Sequence, residues 1–150
     1  MDAFQKLLWD LGEHIHLPLH VDKHNACSLL LDDLLEIQLQ MDSYDEHLIL
    51  WAYLHDVPPG RYRENVLKEA LKFNSLKNSP GTLAFYEKKN LLILQNFLPI
   101  EMLSGEKLVK QLEVFIEKAD EWRLAIEDGH ASPSPSLPPS GRENPFFLRP

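Results

Sequence analysis

The chain has 150 residues, 44% hydrophobic and 25% charged, with 23 acidic against 15 basic side chains for a formal charge of −8. That length carries one ordinary domain with a real core, and its negative surface argues against nucleic acid and anionic membrane as partners. A lone cysteine, Cys27, cannot form an internal disulfide, which fits a reducing compartment; no secretory signal is visible, and the longest apolar run, Leu48 to Leu54, falls far short of the ~18 residues that span a bilayer.

The first segment is predicted to be an amphipathic helix. Phe4, Leu7, Leu8, Leu11 and Ile15 recur at helical spacing, and Lys6, Asp10 and Glu13 lie opposite. Pro18 stops it. Three strands follow: the short apolar run Ala26–Leu31, then residues 35–42 with strict alternation of Leu35, Ile37, Leu39 and Met41 against polar neighbours, then His47–His55. The last of these is apolar at nearly every position, so both faces are covered or one awaits a partner. The short turn Asp42–Asp45 predicts a hairpin between the second and third strands.

Val57-Pro58-Pro59-Gly60 breaks the sheet and introduces a helix over about Arg61–Leu76, whose apolar positions spread over more than one stripe. A second hairpin, Thr82–Glu87 and Leu91–Leu98, turns at Lys88-Lys89-Asn90. Ser104 caps a long helix carrying Leu108, Leu112, Phe115, Ile116, Ala119, Trp122 and Ile126, which Gly129 ends. The expected architecture is α+β, an antiparallel twisted sheet of about five strands with three helices in the order α-β-β-β-α-β-β-α. Residues 1–129 form the domain, and 130–150, rich in proline and serine, are expected to be a disordered tail.

Reactive chemistry is sparse. No glycine-rich phosphate loop, nucleophile elbow, Cys-x-x-Cys or His-Glu-x-x-His is present. His14, His16, His20 and His24 lie near Cys27, and imidazole with thiolate suits zinc, copper or nickel; Pro18 divides the set, however, and a helix end with a polar loop is the plainer reading. Cys27 opens an apolar strand and reads as a buried thiol. Asp32-Asp33 and Asp42 with Asp45 lack calcium-loop spacing and read as turn acids. Trp9, Trp51 and Trp122 fall in apolar runs or stripes and are expected in the core. Pro135-x-x-Pro138 reads as solvated linker, and Phe146-Phe147-Leu148 is an apolar stub without a role. No catalytic residue, metal ligand or cofactor is assigned.

The informative feature is apolar surface in excess. Five apolar side chains on the first helix represent about 8–15 kcal/mol if buried, and with the apolar strand at 48–54 they exceed what a single subunit has room to cover. Such surfaces mark protein partners, and the high negative charge keeps them soluble.

A family resemblance rests on an ordered set of short pieces: Phe4-x-x-Leu7-Leu8-x-x-Leu11-Gly12, Pro18-Leu19, Asn25-Ala26-Cys27, Leu71-x-Phe73-Asn74, Gly81-Thr82-Leu83 and Gly105-Glu106-Lys107-Leu108. Across about residues 2–128 the chain resembles the class I type III secretion chaperones of Gram-negative bacteria, the effector and Tir chaperone-like family, most of all its chlamydial members. The resemblance implies a cytoplasmic homodimer without cofactor or metal. It implies binding of the extended N-terminal region of one or more secreted effectors, through apolar grooves and strand addition, and admits the secretion apparatus as a further partner. Carried onto matching positions, cargo binding falls to Leu7, Leu8, Leu11, Leu39, Ile49 and Trp51, and the dimer contact to Leu67, Leu71, Leu83 and Phe85. The competing reading is a small-molecule-binding or hydrolytic α+β domain with an internal apolar pocket.

Overall fold

The structure is a computed structural model and is described over residues 2–133; the expected disorder of the tail therefore lies, beyond Pro133, outside the described residues. The elements in chain order are α1 (Ala3–Ile15), β1 (Ala26–Leu31), β2 (Leu35–Met41), β3 (His47–Asp56), α2 (Arg61–Asn74), β4 (Thr82–Tyr86), β5 (Leu91–Pro99) and α3 (Gly105–Glu127). Single 3₁₀ turns at Glu87–Lys89 and Ile100–Met102 complete the β4–β5 hairpin and lead into α3. The predicted order α-β-β-β-α-β-β-α is the observed one.

All five strands form one antiparallel sheet in the order β1-β2-β3-β5-β4. Alternation fixes its faces. Leu35, Ile37, Leu39 and Met41 of β2 share a side with Leu48, Leu50, Ala52 and Leu54 of β3 and with Leu92, Leu94 and Leu98 of β5, and all are buried. Against that side the three helices place their own buried stripes, making one continuous core. Phe73 of α2 meets Trp122 of α3 edge to face, ring centroids 5.8 Å apart, a favoured aromatic geometry.

The helix ends follow from local chemistry. Asp2 and Gln5 form a reciprocal capping box at the start of α1, and Ser104 accepts from the Lys107 N–H at the start of α3. His16 adopts the left-handed conformation and the N–H groups of His16 and Leu17 both return to the Gly12 carbonyl. The chain then doubles back over α1, which requires Gly12: a Cβ there would stand 2.8 Å from the Leu17 carbonyl oxygen. At the other end of the domain Tyr62 donates to the His130 carbonyl at 2.6 Å, tying the end of α3 to the first turn of α2.

One expectation is overturned by this packing. Phe4, Leu7, Leu8, Leu11 and Ile15 are all buried within the subunit, so this stripe of α1 is not the source of spare apolar surface. Its stripe is satisfied by α3, which approaches so closely that the Gly105 N–H donates to Asp10 Oδ2 at 2.7 Å.

Candidate functional site

Among the described residues, three surfaces remain apolar. The first is the side of the sheet away from the helices. Register places Ile49 beside Phe97, Trp51 beside Gln95 and Tyr53 beside Ile93. Ile49, Trp51, Tyr53 and Ile93 are half-buried and Phe97 is 51% exposed; none belongs to the core cluster. Glutamines 38, 40 and 95 border the band, and Tyr53 donates to Gln38 Oε1 at 3.2 Å. Glu36, paired with Tyr53, is the charged group at one end of the band, and the glutamines along the rest of its border are neutral.

The second is a groove of about 570 Å³ beside α1, lined by Leu8, Trp9, Gly12, Glu13 and the turn from His16 to His20. Gly12 makes it possible, because only a residue without Cβ lets Leu17 and Leu19 cross the helix so closely. Trp9 stands at its edge, 65% exposed. The expectation that all three tryptophans are core therefore holds for Trp122 alone. At roughly 100° per residue, Trp9 falls on the side of α1 away from the stripe, in line with Gly12 and His16. That offset was the available signal in the sequence.

The third combines α2 with β4. Val66, Ala70 and Phe73 face the core, while Leu67 and Leu71, one turn apart, form a second stripe rotated away from it. Leu67 is half-buried, Leu71 is 70% exposed and Leu76 is 61% exposed. Phe85 is half-buried under the Arg63 guanidinium, 4.7 Å above its ring, and that guanidinium is fixed by the Val57 carbonyl and Asn90 Oδ1. Leu83 is buried. Asn74 brackets the outer edge of β4, accepting from the Leu83 N–H at 2.7 Å and donating to its carbonyl at 2.9 Å. One sheet edge is thereby blunted, and β1 forms the other.

The ten residues assigned from the resemblance divide accordingly. Ile49 and Trp51 lie together on the outer sheet face. Leu7, Leu8, Leu11 and Leu39 come together in the core instead, with Leu8 also forming part of the groove; the folded subunit does not offer them as an open surface. Leu67, Leu71 and Phe85 share the α2–β4 surface, with Leu83 beneath it. Missed by the sequence reading were Trp9, Ile93 and Phe97. The latter two belong to a strand apolar on both faces, and only cross-strand register reveals which face is outermost.

No group of three or more His, Cys, Asp or Glu able to hold a metal occurs among the described residues. Cys27 is buried, and burial pushes its thiol above the ordinary value despite a backbone hydrogen bond from His20. Such a thiol is a poor nucleophile. No helix among the described residues is long and apolar enough to cross a membrane.

Comparison with known proteins agrees with this geometry. No curated protein matches the sequence. Among solved structures, the chain is similar to one in the HopA1–SchA chaperone–effector complex, at 28% identity and a TM-score of 0.68, covering 82% of this chain and 94% of that one. It shares its fold with a chain of the ExsC–ExsE complex (22% identity, TM-score 0.63, 83% of this chain and 96% of that one). A further fold match is a chain of the complex of the Yersinia pestis type III secretion chaperone SycH with a stable fragment of YscM2 (19%, 0.59, 77% and 96%). The profile of the Tir chaperone protein (CesT) family matches residues 6–123, and the chain belongs to that family.

Proposed function

We propose that this protein is a type III secretion chaperone that binds the extended N-terminal region of one or more effectors and keeps it soluble and competent for export. The observation that carries the reading is the outer sheet face, where Ile49, Trp51, Ile93 and Phe97 form an apolar band that the subunit's own helices leave uncovered. An extended guest laid across that band sets its apolar side chains on it, and a separate stretch of the same guest adds main-chain hydrogen bonds along the β1 edge. The α2–β4 surface, with Leu67, Leu71 and Phe85, is the contact with a second copy. No reaction is assigned to the protein.

A domain built around an internal pocket finds no support: the groove beside α1 opens to solvent and the buried Cys27 thiol is unsuited to attack. The test is co-purification from the native cell. Secreted proteins captured through their N-terminal segments, and released by Trp51→Asp, are the expected result. Capture unaffected by Trp51→Asp would remove the sheet face from the cargo site, and enrichment of no secreted protein would remove the function.

A further inference from the structure

We infer that the outer sheet face carries a subsite for a basic side chain, built from Glu36 and the ring of Tyr53, which fixes where a guest sits on the apolar band. Register carries this first. Leu30 pairs with Glu36, Glu36 with Tyr53, Tyr53 with Ile93 and Ile93 with Ala84, so one outward row runs through all five strands, about 4.8 Å from each to the next. Every member but Glu36 is apolar or aromatic, and on the far side of the carboxylate Leu30 is 54% exposed. Glu36 is thus a single charge set inside an apolar row. The occupant, a segment of an effector, rests on the effector reading; the chemistry of the subsite goes beyond it.

Glu36 is exposed, and among the described residues no Lys, Arg or His forms an ion pair with it. A purely apolar guest that covers the row strips water from this carboxylate and leaves it without a partner, a penalty that the hydrophobic contact does not offset. A guest that brings a cation to the same point keeps the charge satisfied. Tyr53 shapes the place. Its hydroxyl donates to Gln38 Oε1 at 3.2 Å, which turns the ring toward β2, the strand that carries Glu36. Burial raises the Tyr53 phenol above its ordinary value, and Glu36 and Tyr86 lie close enough to add to the shift. A guanidinium or ammonium that pairs with Glu36 therefore lies against the face of a tethered, neutral aromatic ring.

Spacing turns the subsite into a sequence requirement. Ile49, Trp51 and Tyr53 follow one another on the outward side of β3, and at about 3.3 Å per residue Ile49 and Tyr53 stand roughly 13 Å apart. An extended guest that follows β3 advances at the same rate and presents every second side chain to the sheet. Apolar side chains seated at Ile49 with Phe97 and at Trp51 then bring the residue four positions from the first of them beside Glu36. The fitting segment reads apolar-x-apolar-x-basic, in either chain direction. The sign follows from the surroundings as well: Gln38, Gln40 and Gln95 are neutral, and the formal charge of −8 favours the approach of a basic segment. An acidic residue at that position meets Glu36 as like charge, which discriminates against it.

The test uses the full chain and three synthetic peptides, acetyl-Ser-Leu-Ser-Leu-Ser-Arg-Ser-amide and its twins with Gln or Glu in place of Arg. The Trp51 indole N–H resonance, assigned with Trp51→Phe, is the reporter. In the wild type the Arg peptide is expected to bind about fivefold more tightly than the Gln twin, the upper range for an exposed ion pair, and the Glu twin more weakly than either. Glu36→Gln should erase the preference for Arg over Gln, and Glu36→Lys should turn it toward the Glu twin. A preference for Arg that survives Glu36→Gln would overturn the inference, because the overall negative charge would then be its cause. Equal binding of all three peptides to the wild type would also overturn it, while leaving the band as a guest surface. A Trp51 resonance that none of the peptides moves would remove the band itself from the effector reading, and the subsite with it.

Discussion

At Gly105 an added Cβ would lie 2.5 Å from Asp10 Oδ2 and 2.8 Å from the Asp10 carbonyl carbon. The joint between α1 and α3 depends on that missing methyl, because the approach lets the Gly105 N–H donate to the Asp10 carboxylate. Gly105→Ala should cost about 1–3 kcal/mol through overpacking, seen as a lower urea midpoint with the slope unchanged; an unchanged midpoint would mean that the joint yields freely. Asp22 makes a different prediction. Its carboxylate accepts from the Ala26 and His24 N–H groups, which hold its pKa below the usual 3.8. Folded below unfolded means a contribution that is present above the unfolded value and lost as pH falls through the folded one. Asp42 behaves alike: burial would raise its pKa, but hydrogen bonds from Glu46 and His47 outweigh this and lower it. Thermal unfolding should therefore drop more steeply for wild type than for Asp22→Asn below about pH 4, and parallel curves would show that the turn does not depend on this charge.

Elements were legible where the pattern had a single interpretation. Residues 35–41 alternate strictly, and the core takes the side they indicate. The breaks at Pro18, Val57–Gly60 and Gly129 end elements within a residue or two of their expected places. What the pattern could not give was the partner of each apolar face. The stripe of α1 reads the same whether it meets α3 or a guest, so Leu7, Leu8 and Leu11 were assigned to a surface although the core takes them. β3 is apolar on both faces, and only its register with β2 and β5 shows Ile49 and Trp51 outermost. In α2 the excess was visible as a second stripe. Leu71→Asp tests that stripe: at 70% exposure the change should leave the fold intact, while in a dimer contact it buries an unpaired charge. Light scattering should fall from about twice the 17.4 kDa chain mass to a single chain mass at micromolar concentration. A variant that keeps the wild-type mass would place the contact elsewhere.

The whole molecule combines uncovered apolar bands with a strong charge of one sign. With a formal charge of −8 at pH 7 and an isoelectric point near 5.3, repulsion between copies is large at pH 7 and vanishes less than two pH units lower. If charge keeps the outer sheet face from self-association, light scattering at fixed concentration should rise as pH falls from 7 toward 5.3, well above the range in which carboxylate protonation unfolds the domain. Trp51→Asp removes apolar area from the band and adds a negative charge, so it should hold scattering down over the same interval. A rise identical in both proteins would locate the sticky surface elsewhere, on α2 or beside α1. No rise in the wild type would mean that the band is already covered by another part of the protein.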